Sequence, residues 1–229
     1  MTKAVFNLKY WLKLFLDKNS LTSVLKLHDN LRKNGFDSKK DILVEGYPRS
    51  GNSYIVRYLG HFLDPQKISH HTHLFSSCKK HLDKGSKCII LIRNPIESIA
   101  SNILINPLLS RELAIKHYIN FYEGVASYPS DAFLMINFDD FVNNQLSILN
   151  SINKYLELGE IDEHEYKLVD NKIRLQVKIM SKERKNFYSL PSLEKDSYKA
   201  EIKESLQGID LIAEAVTLYT SLAYRNQRS

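Results

Sequence analysis

Three short runs along the chain are apolar at nearly every position: Ile42-Leu43-Val44, Lys87 to Arg93 (KCIILIR) and Ala132 to Phe138 (AFLMINF). Runs of this length without helical spacing fit strands that are covered on both faces. Between them the apolar residues recur at helical intervals: first Ile55, Tyr58, Leu59 and Phe62, and later Leu113, Ile115, Tyr118, Ile119, Tyr122 and Val125 within 110–127. The alternation predicts strands at 42–45, 87–92 and 132–137 in a parallel sheet with helices on both faces, a three-layer α/β sandwich. Ahead of the first strand, residues 5–16 predict an amphipathic helix interrupted by Lys9 and Lys13. Residues 20–34 predict a second, with Ser20 as N-cap and Gly35 past its end. Asp139 or Asp140 is expected to cap a helix running to about Leu158. Beyond residue 150 the pattern is mostly helical and highly charged, broken at Ser189-Leu190-Pro191-Ser192.

The joints between these elements carry the candidate chemistry. From Asp41 to Leu63 the order is strand, tight loop, helix, with Gly46 and Gly51 five apart and Arg49 between them. Such a loop turns backbone N–H groups inward, and the helix start adds its unpaired N–H groups and the positive end of its dipole, so it should hold a phosphate or sulfate. It departs from the triphosphate loop G-x-x-x-x-G-K-[ST], because Asn52 stands where the lysine belongs. After the second strand, Asn94 is placed as N-cap, Pro95 at the first helical position and Glu97 where it can answer the cap. Helical periodicity then turns Arg93, Ser98 and Ser101 toward a common space. Ile68 to Phe75 fits a short strand or loop near the site. Its three histidines, His70, His71 and His73, have no Cys, Asp or Glu beside them at metal-ligand spacing, so no metal is expected.

Composition narrows the class. With 229 residues, 43% of them apolar and 25% charged, the chain is long enough for one domain with a substantial core. Its expected parts are N-terminal helices (1–35), a nucleotide-binding α/β core (36–150) and a mostly helical remainder (151–229). The formal charge of +6 calls for an anionic partner. A specific nucleic acid is disfavoured, since the basic residues are not organised with aromatic platforms. Two cysteines make no framework of bridges and fit a reducing cytoplasm. The hydrophobic stretch 5–16 is too short to span a membrane and is expected to pack on the domain, with weak membrane-surface contact as the second reading.

Tyr47-Pro48-Arg49-Ser50-Gly51-Asn52-Ser53-Tyr54 resembles the 5′-phosphosulfate loop of sulfotransferases that use 3′-phosphoadenosine 5′-phosphosulfate (PAPS). The usual form there is P-K-S-G-T-T-W, with P-R-S-G-N-[ST]-W a bacterial variant. Arg93-Asn94-Pro95-Ile96-Glu97-Ser98-Ile99-Ala100-Ser101 resembles that family's 3′-phosphate element, R-[ND]-P-x-[DE]-x-x-x-S. His71-Thr72-His73-Leu74 is similar to its K-x-H-[LF] segment, with His71 in the lysine position and His73 matching the base. Asn137 to Phe141 looks like its Y-E-D-[LM] element with Phe138 for tyrosine, and Arg184-Lys185-Asn186 is a degraded R-K-G. The likeness covers roughly residues 41 to 141.

The resemblance implies a P-loop nucleotide-triphosphate-hydrolase-like fold and transfer of a sulfuryl group from PAPS to a hydroxyl or amine of a small-molecule or glycan acceptor, without a metal. It assigns His73 as base and Arg49 to the leaving oxygen. Ser50, Gly51, Asn52 and Ser53 would hold the 5′-phosphosulfate through backbone N–H groups, Arg93, Ser101 and Arg184 the 3′-phosphate, and Tyr54 would be a stacking surface for adenine. Two alternatives stand beside it: an ATP/Mg²⁺ phosphotransferase with Asp139 on the metal, and a non-catalytic nucleotide binder, motivated by Arg49 for lysine and Phe138 for tyrosine.

Overall fold

The run of five apolar residues from Cys88 to Ile92 makes sense once its neighbours are seen. In the computed structural model, which describes residues 1–19, 39–183 and 193–226, this strand lies in the interior of a parallel sheet. The four strands are β1 (Ile42–Gly46), β2 (Ile68–His70), β3 (Lys87–Ile92) and β4 (Leu134–Asn137), in the order β2-β1-β3-β4. Every neighbouring pair is parallel. Alternate side chains of β3 enter opposite cores: Cys88, Ile90 and Ile92 join one cluster, Ile89 and Leu91 the other. Both faces are covered by helices, which is why the strand is apolar throughout.

One face carries α3 (Phe75–Lys84), α4 (Pro95–Ile105), α5 (Arg111–Ala126), α9 (Leu193–Gln207) and α10 (Leu211–Asn226). The other carries α2 (Asn52–Leu59), α7 (Gln145–Tyr155) and α8 (Glu163–Glu183). The expected three-layer α/β architecture is therefore present. The helix α1 (Lys3–Lys18) packs against α3 and α5.

The segment from Ile68, expected as a short strand or loop, supplies a fourth, edge strand, paired with Ile42 to Val44. Two local expectations need correction. The helix after β4 is split into α6 (Phe138–Asn143) and α7, and its cap is Asn137, whose side chain accepts from Asp139 N; neither aspartate caps it. Asn94 caps α4 as expected, accepting from the Ile96 and Glu97 N–H groups. Glu97 does not reach back to it. Its carboxylate instead pairs with Lys199 at 2.7 Å and with Lys203, tying α9 to α4. The helix expected at 20–34, the break at 189–192 and Arg184 lie outside the described residues.

The strand order fixes where a ligand can bind. The chain leaves β1 for β2 on one side and returns to β3 on the other, so loops diverge between the carboxyl ends of β1 and β3. Gly46 ends β1 opposite Leu91, and Arg93 follows β3 at once. Both candidate anion motifs open into that one crevice.

Candidate active site

The loop after β1 is held open by backbone geometry that only some residues tolerate. Gly51, the N-cap of α2, sits at φ 97 and offers no side chain to the first-turn N–H groups. A Cβ on it would stand 3.0 Å from the Phe138 ring. Gly46 cannot carry one either, since a Cβ there would lie 2.3 Å from the Leu91 carbonyl oxygen. Asn52, in the place of the triphosphate-loop lysine, turns its side chain back into the loop, donating to Gly46 O at 3.2 Å and Tyr47 O at 3.3 Å. Its contribution to an anion is confined to its backbone N–H.

Two tyrosines one helical turn apart on α5 pin the loop and the end of β3 together. Tyr122 Oη donates to Leu91 O at 2.6 Å and accepts from Tyr47 N at 3.2 Å. Tyr118 Oη donates to Arg93 O at 2.8 Å. Tyr47, itself fully buried, donates to Ala114 O and accepts from Asn102. Each of these three phenol hydroxyls thus finds a partner, as its burial demands.

The two arginines converge. Arg49 Nε donates to Ser101 Oγ at 3.1 Å, and Arg93 Nη1 donates to Arg49 O at 2.9 Å. Arg93 lies 4.2 Å above the Phe138 ring, so the residue standing for tyrosine serves as a cation–π floor. Burial lowers the pKa of both guanidiniums, and their mutual repulsion lowers that of Arg49 further. The buried Nε of Arg93 has no hydrogen-bond partner. Two like charges with an unmet donor, beside uncapped N–H groups, form an environment that a phosphorylated or sulfated ligand would relieve. Tyr54 is turned toward α8, donating to Asp170 Oδ1 at 2.8 Å with its ring tilted against Phe141.

His73 stands on the opposite side of Gly46. Its Nδ1 is 2.8 Å from Gly46 O. A carbonyl has no proton to give, so Nδ1 carries the hydrogen and Nε2 the lone pair. Burial and the nearby His71 hold its pKa well below the usual imidazole value, so the ring is neutral at neutral pH and Nε2 is unprotonated. His71 and His73 both adopt left-handed backbone, φ 55 and φ 53. His71 bridges Ser53 Oγ at 2.8 Å and the ring of His70.

Sequence reasoning missed what holds this turn. Glu45, fully buried on β1, accepts from Thr72 N at 2.6 Å, Thr72 Oγ1 at 2.8 Å and His73 N at 3.2 Å. Burial raises its pKa to about 7 against the pull of these donors. The inner face of α1 closes over the same turn. Lys13 donates to Thr72 O at 3.4 Å, and Asp17 accepts from the Phe75 and Ser76 N–H groups. His117 Nε2 donates to His73 O at 2.6 Å, leaving Nδ1 to accept from Tyr10 Oη at 2.6 Å. Burial lowers the Lys13 pKa, opposed by the charges of Asp17 and Glu45. The one sequence signal for Lys13 was its interruption of an apolar helix.

No family model and no curated protein matches the chain. Among solved structures, that of mouse sulfotransferase SULT7A1 complexed with PAP is similar at 14% identity and a TM-score of 0.49, covering 86% of this chain and 96% of that one. Among the described residues no helix is long and apolar enough to cross a membrane, and no group of three or more His, Cys, Asp or Glu is placed to hold a metal ion.

Proposed function

We propose that the chain transfers a sulfuryl group from PAPS to a hydroxyl or amine of an acceptor. The observation that carries this reading is the meeting of Arg49 with Ser101 and Arg93, residues of two separate motifs brought to one crevice. The N–H groups at the start of α2 and Arg49 would hold the 5′-phosphosulfate, and Arg93 with Ser101 the 3′-phosphate. PAPS would supply an activated sulfur with a phosphate leaving group. The chain supplies position, charge and a base: Nε2 of His73 accepts the acceptor's proton, and the always-charged Arg49 steadies the departing oxygen. An arginine is a poor proton donor, so its part is electrostatic. Tyr54 is assigned to the adenine side of the site. Lys13, which donates to Thr72 O, adds positive charge near His73.

The test is titration of 3′-phosphoadenosine 5′-phosphate by calorimetry, followed by turnover of labelled PAPS with a panel of hydroxyl and amine acceptors. Binding that is retained in EDTA and weakened by Arg93→Ala is expected, with His73→Ala losing turnover while keeping the nucleotide. Binding of ATP that requires Mg²⁺ would replace this reading with phosphoryl transfer.

A further inference from the structure

The helix that closes the site with one face shows the opposite of a solvated surface on the other. Phe6, Tyr10, Lys13, Leu14 and Asp17 face the domain, through Tyr10 to His117, Lys13 to Thr72 and Asp17 to the first turn of α3. A helix lying on a domain ordinarily turns polar residues outward. Here Val5, Leu8 and Leu12 lie outward and exposed, with Leu8 at 64%, and Trp11 and Phe15, about half exposed, line a groove against α5 and α10. Their spacing of three and four places them along one stripe. Trp11 and Phe15 stack on each other with ring centroids 5.4 Å apart, forming a broad aromatic surface.

The charges on α1 are sorted as well. Lys3, Lys9 and Lys18 are exposed, whereas its single acidic residue, Asp17, is 5% exposed and turned inward to hold two backbone N–H groups. The charge that α1 itself shows to solvent is therefore positive, with Lys9 and Lys18 flanking the apolar stripe; Glu123 of α5 and Glu214 of α10 line the groove at its Trp11–Phe15 end, beside Lys18 and Lys116. We propose that this outer face of α1 docks on an anionic membrane surface, the stripe entering the headgroup boundary and the lysines meeting lipid phosphates and carboxylates. Apolar area with Trp and Phe, fringed by lysine, is the combination that makes such binding favourable and dependent on lipid charge. A second copy of the chain is the competing occupant, and the experiment below separates the two. The proposal is independent of the sulfuryl-transfer reading.

Trp11 is the chain's single tryptophan, so its emission reports on this face without labelling. The full chain is mixed with vesicles of phosphatidylcholine alone, or of phosphatidylcholine and phosphatidylserine three to one. With the mixed vesicles we expect a blue shift of Trp11 emission and co-sedimentation, both suppressed by high salt and nearly absent with neutral vesicles. Replacing Leu8 and Leu12 by serine removes apolar area on the outward side and leaves the Trp11–Phe15 stack in place. The double variant should keep its melting temperature and bind mixed vesicles about tenfold or more weakly. Lys9→Glu with Lys18→Glu should have an effect of similar size. Unchanged emission with the protein left in the supernatant for both vesicle types would overturn the proposal. So would a blue shift without vesicles that follows protein concentration together with dimer in sedimentation velocity, which would make the face a self-interface.

Discussion

Glu45 accepts the backbone N–H of His73 at 3.2 Å and its carboxylate stands 3.6 Å from Nδ1 of the same residue. One side chain therefore fixes the left-handed turn that aims the imidazole and lies beside the ring when it takes up a proton. Replacing it by glutamine keeps the shape, removes the charge and leaves one acceptor oxygen for three donors. Under the proposed reaction, Glu45→Gln should lower kcat about tenfold or more, since the carboxylate that orients the base is lost. The affinity for 3′-phosphoadenosine 5′-phosphate should hardly move, because Arg49 and Arg93 are untouched. Equal kcat for the variant and the wild type would leave Glu45 with a purely structural part.

Arg49 occupies left-handed backbone at φ 73, a conformation that costs a side chain with a Cβ on the order of 1 kcal/mol. In the proposed site this backbone sets the Arg49 side chain against Ser101 Oγ. Arg49→Gly relieves that strain but loses the Ser101 bond and loosens the unfolded chain, so the unfolding free energy should change by no more than about 1 kcal/mol. It should weaken nucleotide binding by about 1.5–3 kcal/mol, the worth of a charge-assisted hydrogen bond. Denaturant unfolding and calorimetry on the one variant test both halves, and a fall in stability with unchanged affinity would contradict them.

The sheet was legible because its strands are buried on both faces, so their apolar runs are uninterrupted from Leu43 to Val44 and from Cys88 to Ile92. The edge strand Ile68–His70 was less so, since three residues at an edge need neither length nor apolarity. Arg49, Arg93, Ser101 and His73 could be picked out because they flank loops whose glycine, proline and asparagine reveal the turns. Glu45, Lys13 and the Tyr10–His117 pair could not. Each acts through a contact across distant sequence: Lys13 reaches Thr72 over 59 positions and Tyr10 reaches His117 over 107. Glu97 shows the same limit from the other side. Its local spacing is that of a capping partner, yet a competing charge from α9 wins its carboxylate.

Asp17 joins α1 to the site by acting as an N-cap from outside its own helix. The cap position of α3 is Leu74, which has no capping side chain, and Asp17 accepts instead from Phe75 N at 3.0 Å and Ser76 N at 2.9 Å. Asp17→Ala leaves two N–H groups without an acceptor, one of them on the buried Ser76. We expect a loss of about 2 kcal/mol in global stability, at the upper end for a helix cap. Amide exchange should quicken in both Lys3–Lys18 and the first turn of α3. Exchange that quickens in α3 alone would mean that α1 is held by its apolar contacts and not by this link.

Buried neutral histidines give the protein a stability that acid removes. Burial lowers the pKa of His81 to about 4 and that of His117 to about 3. Their folded values lie below the unfolded one near 6.5, so the folded state binds fewer protons in the window between. Their contribution is complete above about pH 6.5 and declines as the pH falls toward 4 and then 3, at about 1.4 kcal/mol per unit for each group. Glu45 has the opposite sign: raised to about 7, it binds a proton more readily when folded, and stability from this group falls as pH rises from about 4.5 to 7. Asp17, raised by burial, acts in the same sense as Glu45. His70 and His71, both lowered to about 4, and His73, lowered well below the usual imidazole value, add to the histidine side. The histidines outnumber the acids, so the urea midpoint should fall steadily from pH 6.5 to 4.5. His81→Gln, which can still meet Ser69 Oγ, now 2.8 Å from the ring, should flatten that slope while changing the midpoint at pH 7.5 far less. A midpoint that stays level over this range, or a variant with an unchanged slope, would show that these imidazoles are charged in the folded state.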